Sequence, residues 1–80
     1  MIKIKFFAVL REEMKREEML FEMPPGAVCG EILFSLKSRF PALAPILSRC
    51  LVAVNGSYAG LDAQISEGDE LALLPPVSGG

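Results

Sequence analysis

Glu67-Gly68-Asp69-Glu70-Leu71-Ala72-Leu73-Leu74-Pro75-Pro76-Val77-Ser78-Gly79-Gly80 reads as a turn, a strand and a tail. Glu67-Gly68-Asp69 has turn chemistry, because glycine takes positive φ without steric cost. From Glu70 to Leu74 the parity puts Leu71 and Leu73 on one face and Glu70, Ala72 and Leu74 on the other. That pattern is a strand with one face in a core. After Leu74 the pattern stops. Pro75 and Pro76 lack backbone donors and favour an extended polyproline conformation. Val77 and Ser78 are small, and Gly79 and Gly80 carry no side chain. Six extended residues span about 20 Å. The expectation is one domain over residues 1–74 and a flexible, extended C-terminal tail over 75–80.

Moving outward, the last strand needs partners. Cys50 to Asn55 is apolar and β-branched enough to be one. Asn55-Gly56 is a strong hairpin signal, since both residues tolerate positive φ. Ser57 to Gly60 makes a short return strand, and Leu61 to Ile65 is irregular. At the other end, Met1 to Leu10 alternates with period two. Ile2, Ile4, Phe6, Ala8 and Leu10 share one face; Lys3, Lys5, Phe7 and Val9 share the other. Phe7 is the anomaly on the lysine side. Arg11 to Glu18 is densely charged and reads as a solvated turn or short helix, with Glu12–Arg16 as a supporting pair. Met19 to Met23 is a second strand, broken by Pro24-Pro25-Gly26.

A helix follows from about Val28 to Arg39. Val28, Ile32, Leu36 and Phe40 recur every four residues, with Cys29 and Leu33 beside them. Its start lacks a capping side chain, and Gly30 weakens it by up to about 1 kcal/mol relative to Ala. Pro41 ends it by driving Phe40 out of the α region. Pro41 to Arg49 is a connector with room for one helical turn at Ala44 to Leu47. The order β-β-α-β-(β)-β gives an α+β domain. One main helix covers one face of a mixed sheet, and the first and last strands lie side by side. This is the ubiquitin-like β-grasp arrangement.

Composition excludes several function classes. Eighty residues make one small domain, and 51% hydrophobic with 22% charged residues is globular composition. Eight Lys and Arg against ten Asp and Glu leave no nucleic-acid footprint and no basic membrane patch. The apolar runs are too short to span a bilayer, and the N-terminus alternates instead of forming a signal-peptide core. The expected location is cytoplasmic. There is no histidine, so the commonest general base and metal ligand are missing. Two cysteines, Cys29 and Cys50, make neither a zinc set nor, in a reducing compartment, a disulfide. No metal site is expected.

If the chain takes part in chemistry, a terminus or a partner supplies the reactive group. A C-terminal glycine leaves its carboxyl carbon unhindered, and its backbone passes a channel too narrow for a Cβ. A carboxylate is a poor acyl donor. Joining it to AMP supplies a leaving group that a sulfur nucleophile can displace. Taken alone, a Gly-Gly end is equally compatible with an ordinary frayed terminus.

Three blocks shift that balance. The start is Ile4-Lys5-Phe6-Phe7-Ala8 followed by Leu10-Arg11-Glu12. The middle is Val52-Ala53-Val54-Asn55-Gly56. The end is the block quoted at the outset, with its Gly-Asp-Glu turn, proline pair and terminal Gly-Gly. Over nearly its whole length the chain resembles the sulfur-carrier (small) subunit of molybdopterin synthase, the MoaD family. It departs in lacking a Thr helix cap and in having Leu74 where an aromatic is common. The resemblance implies that an E1-like (MoeB-like) enzyme adenylates Gly80 with ATP and Mg²⁺, which it consumes. No cofactor is held by the carrier itself. A sulfur donor protein then converts the adenylate to a thiocarboxylate. The tail Pro75-Pro76-Val77-Ser78-Gly79-Gly80 enters a MoaE-like large subunit, in a heterotetramer, and its sulfur goes to cyclic pyranopterin monophosphate. The large subunit's residues carry out the catalysis.

Strand parity independently sets Phe7 and Leu74 opposite the helix-covered face, with Tyr58 just past the hairpin turn. An exposed apolar cluster on a small domain marks an interface, and the resemblance puts the positions of Phe7, Tyr58 and Leu74 against the large subunit. Scattered surface hydrophobes are the plainer reading. Cys29 and Cys50 read as buried packing residues. Two rival functions share the fold and tail: a ThiS-like carrier for thiamine thiazole synthesis, and a ubiquitin-like modifier of target lysines. A third is an interaction domain with an inert tail.

Overall fold

The computed structural model describes residues 1–24 and 26–76. Five strands form one mixed sheet: β1 (Ile2–Phe6), β2 (Glu18–Phe21), β3 (Leu51–Val54), β4 (Ser57–Ala59) and β5 (Glu70–Leu74). Their spatial order is β2-β1-β5-β3-β4. The first and last strands are parallel neighbours at the centre, with Phe6 level with Leu73; the other pairings are antiparallel. This is the ubiquitin-like β-grasp.

One face of the sheet is dry. Helix α2 (Cys29–Arg39) lays Cys29, Ile32, Leu33 and Leu36 onto Ile2, Ile4, Phe6, Phe21, Val52, Leu71 and Leu73. Each fully buried aliphatic side chain is worth about 1.5–3 kcal/mol of transfer free energy. That contribution offsets the chain entropy of a small domain. Among the described residues no polar or charged side chain is buried. Pro41 does end α2: Phe40 leaves the helical region at φ −127°, ψ 69°. A 3-10 turn (Pro41–Leu43) and helix α3 (Ala44–Leu47) follow, and α3 buries Leu47. The connector's expected helical turn is this α3.

The structure corrects the first strand. It stops at Phe6, not Leu10, and helix α1 (Ala8–Met14) begins where the alternation was read as continuing. Phe7 is still extended, at φ −127° and ψ 156°. Ala8 then takes φ +52°, and the Leu10 N–H donates to the Phe7 carbonyl at 3.1 Å. Leu10 is fully buried, but from a helix. A residue at i+3 across a turn and one at even strand parity both point inward here, so period alone could not separate the two. Lys15 closes α1 in the left-handed region, at φ +58°. Arg16 therefore lies beyond the helix, and the expected Glu12–Arg16 pair is replaced by Arg11 with Glu17 at 3.8 Å. β2 starts at Glu18 and stops at Phe21, two residues short of the expected Met23.

The weak start of α2 is resolved by the chain that follows β4. The Cys29 N–H donates to the Ala63 carbonyl at 2.9 Å, and the Gly30 N–H to the Leu61 carbonyl at 2.8 Å. Glu31 reaches back to accept the Val28 N–H at 3.0 Å. Backbone carbonyls thus satisfy donors that a side-chain cap would otherwise take. A Cβ on residue 30 would stand 3.2 Å from the Leu61 oxygen. The helix glycine is there because another strand of backbone lies against it.

Candidate functional site

The outward face of the sheet is read directly from its register. Ala53 pairs with both Ala72 and Tyr58, and Leu51 pairs with Leu74. All five lie on the side opposite Leu71 and Leu73, which are in the core. Lys5 is level with Ala72. One residue beyond the Phe6–Leu73 pair, extended Phe7 comes level with Leu74. The β5 end of this face therefore carries Phe7, Leu74 and Leu51 in one row, with Ala72, Ala53 and Tyr58 in the next.

Exposure differs along the patch. Tyr58 is 76% exposed, Leu51 61% and Phe7 39%. Leu74 is half-buried, and Ala53 is buried although it faces outward. Charge gathers at the other end, where Lys3 meets Glu18 at 3.6 Å and Lys5 meets Glu70 at 3.8 Å. Leu51 was missed by the sequence reading. The signal was available: once Val52 and Val54 are assigned inward, parity turns Leu51 outward. Phe7 reaches the patch from the strand-to-helix turn, not from within a strand, and is exposed there beside half-buried Lys3 and Lys5.

The tail leaves from this patch. Leu74 ends β5, and Pro75 and Pro76 continue past a cleft of about 390 Å³ walled by Val9, Pro45, Ile46 and Arg49. Val77, Ser78, Gly79 and Gly80, the rest of the sequence-predicted tail, lie outside the described residues. The hairpin and the turn before β5 are tied together, which fixes the direction of β5. Asn55 Nδ2 donates to Asp69 Oδ1 at 3.0 Å, and its Oδ1 accepts the Glu70 N–H at 2.9 Å. Asp69 Oδ2 accepts the Ser66 N–H at 2.8 Å. These two hydrogen bonds, the Asn55 amide first, hold the Asp69 carboxyl below its ordinary value.

Neither cysteine is prepared for chemistry. Burial pushes the Cys50 thiol up to about 11, and its Sγ donates to the Ile46 carbonyl at 3.4 Å. Burial likewise raises the Cys29 thiol. A thiol in this state is protonated near neutrality and poorly nucleophilic. Among the described residues no cluster of metal-ligating side chains occurs, and no helix is long and apolar enough to cross a membrane.

A β-grasp domain with an apolar sheet face at the root of a proline-led tail is the architecture of the ubiquitin-like carriers and modifiers. The ThiS family profile matches residues 4–80, and the chain belongs to that family. It is 35% identical over 81 residues to a molybdopterin synthase sulfur carrier subunit of Chlamydomonas reinhardtii, covering 99% of this chain and 98% of that one. Among solved structures it resembles SAMP1 from Haloferax volcanii, with a TM-score of 0.83 and 33% identity over 99% of this chain and 98% of that one. It also resembles a chain in the complex of subunits 1 and 2 of the molybdopterin-converting factor from Helicobacter pylori. There the TM-score is 0.69 and the identity 25%, over 99% of this chain and 97% of that one.

Proposed function

We propose that this chain is the sulfur-carrying subunit of a molybdopterin synthase, with the carboxylate of Gly80 as its working group. The observation that carries the reading is the exit of the tail. Central strand β5 ends at Leu74 within an apolar patch and passes directly into Pro75-Pro76. A partner that covers Phe7, Leu51, Tyr58 and Leu74 thereby receives the tail in a defined direction. The chain supplies recognition and reach; it has no histidine and no activated thiol to supply catalysis.

The chemistry runs in three steps. In an adenylating enzyme of the E1-like class, a Gly80 carboxylate oxygen attacks the α-phosphorus of Mg²⁺-bound ATP and pyrophosphate leaves. The outer sulfur of a donor protein's persulfide then attacks the acyl carbon and AMP leaves; a thiol reductant cleaves the resulting acyl disulfide, leaving the thiocarboxylate on Gly80 and a disulfide on the donor side. In a MoaE-like large subunit this sulfur passes to cyclic pyranopterin monophosphate, as part of the dithiolene of molybdopterin. The full assembly in this reading is a heterotetramer. The test is reconstitution: thiocarboxylated chain, large subunit and pyranopterin substrate are mixed and molybdopterin is measured. Product forms with the intact tail and is lost when Gly80 is deleted. Product from the Gly80-deleted chain would reject the reading.

A second reading is favoured by the resemblance to SAMP1. An activated glycine can equally be taken by a lysine amine, forming an isopeptide bond. Lysine-linked adducts of this chain in cell extracts would support that use; their absence, with thiocarboxylate present, supports the carrier alone.

A further inference from the structure

The end of β5 has two sides, and the apolar patch occupies only one of them. Leu71 and Leu73 face the helices, Leu74 faces outward, and Pro75 returns to the helix side by parity. There Pro75 is half-buried and forms one wall of the cleft of about 390 Å³ that it shares with Val9, Pro45, Ile46, Arg49 and Pro76. The walls come from the first turn of α1, from α3 with its exit, and from the tail root. Each wall has a chain neighbour in the patch. Val9 is two residues from Phe7, Arg49 is two from Leu51, and Pro75 follows Leu74. Cleft and patch therefore adjoin, on the two sides of the tail root.

The cleft has a chemistry of its own. Val9, Pro45, Ile46 and the proline pair are apolar. Among the described residues Arg49 is the one charged residue in the walls, and it makes no ion pair. Glu12 and Glu13, about a turn beyond Val9 on α1, are not in those walls; Glu13 lines a separate hollow with Phe40 and Leu43. Arg11 is paired with Glu17. An open apolar cleft with an unpaired guanidinium at its rim fits an apolar side chain that has a carboxylate beside it, since Arg holds carboxylates through its planar fork.

We propose that the large subunit that receives the tail also fills this cleft, setting an apolar side chain against Val9 and Ile46 and a neighbouring Asp or Glu on Arg49. The proposal rests on the carrier reading and adds a second point of recognition to it. Contact on the patch side alone restrains the tail root in one direction only. Contact on both sides of Pro75 fixes the path by which the tail enters, and positioning of that kind is what a transfer reaction needs.

The test is titration of the MoaE-like large subunit into the full chain, labelled at its Ile, Leu and Val methyl groups and followed by NMR. Shifts are expected at Val9 and Ile46 together with Leu51 and Leu74. Arg49→Glu, at an exposed position outside the core, should weaken affinity about tenfold or more. Arg49→Gln should weaken it less and flatten its dependence on salt, because the ion pair becomes a neutral contact. Shifts at Leu51 and Leu74 with none at Val9 and Ile46 would overturn the proposal and leave the carrier reading standing. So would undiminished affinity of Arg49→Glu, or an equal loss from Arg16→Glu, which reverses a charge outside the cleft. Self-association of the free chain that Arg49→Glu abolishes would assign the cleft to a second copy and overturn it too. Failure of the unmodified chain to bind the large subunit at all would overturn both readings.

Discussion

At Asn55 a single side-chain amide donates to Asp69 and accepts from Glu70, while its φ of +50° and that of Gly56, +87°, turn the hairpin. The sequence reading assigned Asn55-Gly56 to the turn and could not see the second task, because a cross-chain hydrogen bond leaves no local signature. The Asp69 carboxyl titrates low because its hydrogen bonds favour the charged form. The stabilisation it gives is therefore present above the ordinary carboxylate range and is lost as pH falls below about 4. Thermal melts should show Asp69→Ala less stable than the parent at pH 7, with the gap closing on acidification; a gap constant with pH would mean that the carboxyl acts by shape alone. The cysteines make a second residue-scale test. With Cys50 pushed up to about 11 and Cys29 also raised by burial, alkylation by iodoacetamide at pH 7 should be slow in the folded chain and fast in denaturant. Rapid labelling of the native protein would contradict the packing assignment.

The elements that local pattern specifies were legible: α2 by its four-residue repeat, β5 by strict alternation, the hairpin by Asn-Gly. What escaped was the join between β1 and α1, because Leu10, four residues after Phe6, satisfies strand parity and helical spacing at once; Ala8, expected on the core face, is exposed. Only the positive φ of Ala8 reveals the turn. A β-branched side chain cannot take that conformation cheaply. Ala8→Val should destabilise the domain by about 1–2 kcal/mol, read as a fall in denaturation midpoint, whereas a continuing strand would have welcomed valine. The same lesson holds at Gly30. Propensity alone says that Gly30→Ala stabilises a helix by about 1 kcal/mol. Here the new Cβ would meet the Leu61 oxygen at 3.2 Å, and that oxygen is fixed by the Gly30 N–H. The substitution should fail to raise the melting temperature and should lower it; a rise of several degrees would show that the loop yields easily.

Across the whole molecule, the two sheet faces divide the work. The helix-covered face holds the fold, and the outward face gathers its apolar residues where the tail begins. Parity placed Leu74 on that face, and the register brings in Leu51, which only the strand pairing made evident. In binding measurements against the large subunit, Leu51→Arg or Phe7→Arg should weaken affinity about thirtyfold or more while the isolated domain keeps its melt. Phe6→Arg, with its side chain 2% exposed in the core, should unfold the domain instead. Equal melting losses for Phe7→Arg and Phe6→Arg would contradict the assignment of faces. The account rests most on the terminus as the place where sulfur is carried. Intact mass spectrometry of the chain, isolated from cells and fragmented to locate the change, should find sulfur in place of one carboxyl oxygen on Gly80. The change should persist in the Cys29→Ser, Cys50→Ser double variant. Sulfur found only on a cysteine, or a terminus that stays a plain carboxylate in cells making molybdopterin through this chain, would contradict it.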